Sequence, residues 1–175
     1  MKTRTVFAAL AALISIAAQG NAAGLDDPHR AAYYETFKGK KVAFVPLSMG
    51  FDLTDGWAEL WKRQATELGY SFEIRDPNWN TQAGAQAIEA LINEKPNVLI
   101  VQNPDIQSYA RLMKKAQQAG IYVLQINMNS AVDTEAYVGP DWVALGEDLA
   151  NAMVRRCGKD TGKSGKIAVL QGPLT

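Results

Sequence analysis

Residues Val98-Leu99-Ile100-Val101 are apolar without interruption and run into Gln102-Asn103-Pro104. A strand with one wet face alternates apolar with polar residues, so an unbroken apolar run predicts a strand buried on both faces. A parallel sheet lying between two layers of helices provides that position. The carboxyl ends of its strands stay open, and polar side chains there can face a small molecule. Asn103 is therefore the first candidate contact.

The flanking sequence repeats one unit. Val42 to Leu47 reads as an apolar strand, Ser48 to Thr54 as a Gly-containing polar loop, and Asp55 as the opening of a helix with Trp57, Leu60, Trp61, Ala65 and Leu68 on one face, ending at Gly69. Tyr70 to Arg75 is a second strand, and Asn80 is placed to cap a helix whose face carries Gly84, Ala85, Ile88, Leu91 and Ile92 up to Pro96. After the opening strand, Asp105 caps a third helix through Ile106, Tyr109, Ala110, Met113 and Ala116, closed at Gly120. Ile121 to Ile126 is a fourth apolar strand, followed by Asn127-Met128-Asn129. Strands alternating with helices need crossover connections, which predicts an α/β fold with a doubly wound parallel sheet. Ahead of it, Asp27 can cap a short helical turn around Ala31 to Phe37.

Beyond Asn129 the rhythm changes. Ala136 to Gly139 is long enough only for an edge strand or a crossover. Pro140 and Asp141 start a helix bearing Val143, Leu145, Leu149, Ala152 and Met153, and Gly158 stops it. Ile167 to Leu170 reads as one more buried strand. The sequence ends soon after, where a helix is expected, so the chain reads as the front part of a longer protein.

The amino terminus has the form of a secretory leader over residues 1–22. Lys2 and Arg4 precede an apolar, alanine-rich run from Val6 to Ala18, and Gly20-Asn21-Ala22 supplies small residues at a cut before Ala23. The run is shorter than the roughly 18 apolar residues of a membrane span. Removing Lys2 and Arg4 leaves the mature chain faintly acidic, since the whole sequence carries 18 basic and 18 acidic residues. That balance gives no footprint for nucleic acid. One histidine, His29, and one cysteine, Cys157, cannot build a His/Cys metal cluster or an internal disulfide. An exported chain with a single thiol suits a bacterial periplasm.

Catalytic patterns are weak. Gly158 to Ser164 imitates a phosphate loop but has three residues between its glycines where four are needed, and it joins a helix to a strand, the reverse of the order that aims amides at phosphate. No serine has a histidine partner in reach of a sequence argument, and Asp52 with Asp55 is explained by a loop and a helix start. No enzyme and no cofactor are expected.

The leader, Gln102-Asn103-Pro104 after the third strand, Asn127 after the fourth, and Tyr137-Val138-Gly139-Pro140-Asp141 before the next helix together resemble the periplasmic sugar-binding proteins of ABC transporters, the ribose- and galactose-binding type with the type I periplasmic binding protein fold. The ordered set from about Lys41 onward carries the resemblance, no single motif. It implies two similar lobes closing on a ligand, with residues 23–40 an amino-terminal extension, 41–139 the first lobe and 140–175 the incomplete beginning of the second. It further implies a neutral sugar or polyol as ligand, an ABC permease in the membrane as partner, and a monomer when full length. A sensor presenting its closed form to a chemoreceptor or histidine kinase is the alternative.

Carried over by position, the resemblance places Asp55 and Trp57 after the first strand, Asn103 after the third, Asn127 after the fourth and Asp141 at the crossover as ligand-binding residues. Phe51 and Asp52 compete with Asp55 and Trp57 in the longer first loop. Asn127-Met128 stands where ribose-type relatives have Asp-Arg, which counts against ribose. Amides pair with hydroxyls as donor and acceptor, carboxylates accept from them, and indoles cover C–H faces. Trp79, in a polar turn, either lines the cleft or caps the sheet edge; Trp142 belongs to the cleft rim or to packing between lobes.

Overall fold

The computed structural model describes residues 30–163 and 165–170. The leader over 1–22 and the Asp27 cap lie outside the described residues. The chain runs α1 (Arg30–Phe37), β1 (Lys41–Val45), α2 (Asp52–Leu68), β2 (Ser71–Ile74), α3 (Thr81–Glu94), β3 (Val98–Val101), α4 (Ala110–Gln118), β4 (Tyr122–Ile126), β5 (Ala136–Val138) and α5 (Trp142–Cys157). Five strands form one parallel sheet in the order β2-β1-β3-β4-β5, with β3 at its centre. The apolar run that predicted a doubly buried strand is thus the middle of the sheet, and β5 is its edge.

Each face of the sheet has its own core. Ala43, Val45, Leu99, Val101 and Val123 pack against Ile88, Leu91 and Ile92 of α3 and Met113 and Ala116 of α4. The alternate residues Val42, Phe44, Ile100 and Ile126 face α2 through Ala65 and Leu68, with Tyr34 and Phe37 of α1 at the margin. Full burial of one such aliphatic or aromatic side chain is worth about 1.5–3 kcal/mol, so both layers contribute to holding the sheet. On the second face, a cavity of about 540 Å³ lies toward the amino ends of the strands, lined by Phe37, Val42, Trp61, Tyr70, Ile100 and Leu124 among others.

Local chemistry explains the helix ends. Asn80 accepts from the Ala83 amide at the start of α3, and Asp141 accepts from the Val143 and Ala144 amides at the start of α5. Gly69 closes α2 in the left-handed region, at φ 73°. Lys95 adopts the same region at the end of α3, ahead of Pro96.

Four expectations are corrected. α2 opens at Asp52, three residues before Asp55, because Phe51 already supplies the extended residue that precedes the first turn. Its inward line is Thr54, Ala58, Ala65 and Leu68, so Leu60 points to solvent. Small residues on that line bring the helix backbone close to the sheet, and the larger Trp57 and Trp61 fill its flanks, half-buried. Asp105 does not cap α4, which begins at Ala110. Its carboxylate takes the Gln107 and Ser108 amides in a turn that leaves Ile106 exposed. Ile167 to Leu170 is not a strand and Leu170 is fully exposed, since a strand needs a partner for its backbone groups and none of the described strands pairs with it. Among the described residues no helix is long and apolar enough to cross a membrane.

Candidate functional site

Five loops leave the carboxyl ends of the strands and form one rim, at residues 46–51, 75–80, 102–109, 127–135 and 139–141. Backbone geometry draws the first three together. Gln102 accepts from the Leu47 amide at 3.0 Å, and the Leu47 carbonyl accepts from the Trp79 amide at 2.8 Å. Gly50, at φ 88°, donates to the Asp55 carboxylate at 3.0 Å, so Asp55 braces the first loop from inside α2.

That bracing brings two rings into contact. Phe51 and Trp79 stack with centroids 5.5 Å apart and planes 23° apart. Trp79 is 63% exposed, which is unusual for an indole, and both Asn78 and Trp79 sit in the left-handed region, at φ 48° and 64°. Backbone held there by non-glycine residues costs of the order of 1–3 kcal/mol each and needs support from its surroundings. Here the Asp76 carboxylate takes the Asn78 amide and the Leu47 carbonyl takes the Trp79 amide. The pair is a flat aromatic surface on the rim that sequence reasoning did not assemble, because its members lie in different loops.

Beneath the rim is a buried amide network. Asn103 is 1% exposed and donates from Nδ2 to Gln125 Oε1 and to the Met128 carbonyl, both at 2.8 Å. Gln125 Oε1 also takes the Ser130 amide, and its Nε2 donates to the Val132 carbonyl and Thr134 Oγ1. Asn103 Oδ1 is the buried side-chain atom left without a hydrogen-bond partner among the described residues. The network shapes the 127–135 loop from below, and Asn103 reaches that loop as a strut.

The other candidates are distributed around the rim. Asp52 is exposed in the first turn of α2, where the amino-terminal end of the helix favours negative charge. Trp57 is half-buried against the second core and borders a small cavity with Trp61, Leu124, Ile126 and Val138. Asn127, partly exposed at φ 64°, follows β4 directly, and Asp141 is exposed and engaged in capping α5. The loops bring Phe51, Asp55 and Trp79 together on one side, and Asn103 and Asn127 on the other. No His/Cys/Asp/Glu group able to hold a metal ion occurs among the described residues.

The rim is acidic. Arg75 is the single cation of the five loops, and it is paired at 2.9 Å with Glu73 and Glu94. Glu135 closes the 127–135 loop by accepting from the Val123 amide and from Gln117 Nε2. Partial burial pushes its carboxyl up, but the bonds from the Val123 amide, its own backbone amide and Gln117 together outweigh that push and hold it below the ordinary 4.5. A depressed folded-state pKa means that the stabilisation is complete above about 4.5 and is lost as pH falls through the folded value. Acidification below 4.5 is therefore expected to lower the protection of the Val123 amide against hydrogen exchange, relative to its intrinsic rate at the same pH. In Glu135→Gln that pH dependence should vanish; a persistent acid response there would rule out Glu135 as its source.

A model of the periplasmic binding protein domain matches residues 42–175, a span that takes in the rim and all of the sheet but Lys41. The chain belongs to that family. The D-xylose-binding periplasmic protein of Escherichia coli K12 is 28% identical over 116 residues, which are 62% of this chain and 35% of the relative. An ABC transporter solute-binding protein from Burkholderia graminis, solved in complex with D-arabinose, superposes with a TM-score of 0.59 at 25% identity, over 68% of this chain and 42% of that one. One from Agrobacterium vitis with bound allitol gives 0.61 at 20% identity, over 70% and 42%. This periplasmic binding protein chain thus spans about two-fifths of the length of those solved relatives, and their fold agrees with its parallel sheet and flanking helices.

Proposed function

We propose that the chain supplies the first lobe, residues 41–139, and the beginning of the second, 140–175, of a two-lobed protein that captures a neutral sugar or polyol in the periplasm for an ABC importer. Residues 1–22 are its cleavable export leader, residues 23–40 an extension, and a membrane permease its partner. The stacked Phe51–Trp79 pair, its indole exposed and its phenyl ring partly buried, on an acidic rim carries this reading. Stacked rings offer a face to the C–H side of a sugar, the carboxylates of Asp52 and Asp55 accept from hydroxyls, and the rim has no free cation to hold an anion. Relatives with bound or named xylose, arabinose and allitol support the ligand class.

In this mechanism the ligand's hydroxyls meet Asn127, Asp52 and Asp55, its apolar face meets Phe51, and Trp57 backs the first loop. Asn103 acts from below by holding the loop that carries Asn127, and Asp141 sets the start of α5 at the boundary between lobes. No bond is made or broken; closure of the second lobe over the ligand excludes water, and the closed form is what the permease engages. Calorimetric titration of the two-lobed protein with D-xylose, D-arabinose, allitol and myo-inositol, and with galacturonate as the anionic control, tests the assignment. At least one neutral ligand is expected to give saturable heat, and galacturonate none. Trp79→Ala should weaken binding about tenfold, the value of one aromatic contact. Failure of every neutral carbohydrate to bind would sink the sugar reading.

A further inference from the structure

The amino-terminal end of α5 is tied to one carbonyl. Asn127 O accepts from Tyr137 Oη at 2.9 Å and from Trp142 Nε1 at 2.6 Å, so a side chain of β5 and a side chain of α5 converge on the residue that follows β4. Tyr137 Oη also lies 3.0 Å from the Pro140 carbonyl. A phenol has one proton, so the hydroxyl divides it between the two carbonyls on either side of the crossover. The nearby charge of Asp141 and burial, burial first, push the Tyr137 phenol up, which keeps it a donor. Asn127 itself is fixed in the left-handed region at φ 64°, with its amide on the Val138 carbonyl at 2.9 Å.

Gly139 completes the arrangement. A Cβ there would stand 2.3 Å from Tyr137 Oη and 2.7 Å from Asn127 O, so no larger residue fits between the ring and the carbonyl. Beyond this point α5 receives little else from the sheet: none of its residues, all of them described, is buried. Within the described chain, the bonds at the crossover are what tie the helix to the sheet.

We infer that Tyr137 and Trp142 are positioning residues that latch the second lobe to the Asn127 carbonyl, and that the Trp142 hydrogen bond is the restraint on hinge rotation. The inference rests on the reading that residue 140 begins a second lobe. Tyr137 belongs to the sheet and holds the carbonyl in place. Trp142 belongs to the moving side, and its indole N–H must let go or carry the carbonyl with it when the lobe turns. Trp142 is 43% exposed, so its replacement removes a donor without emptying a core.

Two nitroxides, at Gln82→Cys on α3 and Arg155→Cys on α5 in a Cys157→Ser background, report the angle in the full chain by pulsed electron double resonance. With both latch donors intact, one narrow distance distribution is expected. Trp142→Phe should broaden it at least twofold with unchanged far-ultraviolet circular dichroism, and Tyr137→Phe should broaden it in the same sense. Unchanged widths in both variants, or a distribution already as broad before either change, would overturn the latch. No ligand is involved, so a failed sugar titration leaves this result standing, and an unchanged width counts against the latch whatever the ligand proves to be.

Discussion

Replacing Gln125 with leucine is expected to lower the unfolding free energy by about 3–5 kcal/mol, more than any other single change on the rim side of the sheet. The shape is nearly conserved, so the loss is not a cavity effect. Gln125 is 1% exposed and makes four side-chain bonds, accepting from Asn103 Nδ2 and the Ser130 amide and donating to the Val132 carbonyl and Thr134 Oγ1. Leucine can make none of them. The Ser130 amide, in a residue 5% exposed, and one bond of Asn103 then go unanswered, and each buried polar group so stranded costs about 1–3 kcal/mol. Asn103 already has one unpartnered oxygen, Oδ1, so the network has little reserve. Urea denaturation gives the free energy and hydrogen exchange at Ser130 its location. A loss below about 1 kcal/mol would mean that water replaces the glutamine without penalty, and the strut account of Asn103 would fail.

The consequence for binding follows from the same bonds. The 127–135 loop carries Asn127, and in the proposed function that residue meets the ligand. Gln125 and Asn103 hold the loop from below while Tyr137 and Trp142 hold the Asn127 carbonyl from the crossover side. Preorganisation of this kind lowers the ordering cost of binding, which is why a buried amide two residues from the rim can matter to affinity without touching a ligand.

What was legible in the sequence was what local chemistry decides. The Val98 to Val101 run had to be doubly buried, and Asn80 and Asp141 had to cap because each carries an acceptor immediately ahead of an amphipathic run. Asp105 looked the same and behaves differently. It satisfies the same two kinds of amide, but the chain leaves the helical path before Tyr109, and α4 starts only after that ring. The phase of α2 misled for another reason: Trp57, Ala58, Leu60 and Trp61 make an apolar arc too wide to choose a centre, and packing chose the small residues. Gln125 is a polar interruption in β4, and nothing near it names Asn103, 22 residues earlier, as its partner. Phe51 and Trp79 meet only because two loops are laced through Leu47. Ile167 to Leu170 has the composition of a strand, but pairing is not a property of composition.

Gly84 gives the largest effect where α3 packs against α4, and its sign reverses the usual rule for glycine in helices. Alanine normally stabilises a helix interior by about 0.5–1 kcal/mol relative to glycine, and Gly56 in α2, exposed and with nothing within 4 Å of an added Cβ, should follow that rule. At Gly84 the same Cβ would lie 1.9 Å from Tyr109 Oη and 2.9 Å from its Cζ. The ring cannot swing away, because Tyr109 is 1% exposed inside the α3–α4 core and its hydroxyl donates to the Thr81 carbonyl at 3.2 Å. Nor does it ionise to find water, since burial first and the Asp105 charge second push the phenol up to about 12. Gly84→Ala is therefore expected to cost about 2–3 kcal/mol, the range of core overpacking. Tyr109→Phe alone should cost about 1 kcal/mol for its hydrogen bond. Combined, the two should lose less than their sum by about 1 kcal/mol, because the phenylalanine removes the nearest clashing atom and leaves the Cζ contact. Chemical denaturation of Gly56→Ala, Gly84→Ala, Tyr109→Phe and the double variant measures all four. Strict additivity would show that α3 shifts along the sheet to admit the methyl group, and that Gly84 is a convenience of the helix and not a requirement of its packing.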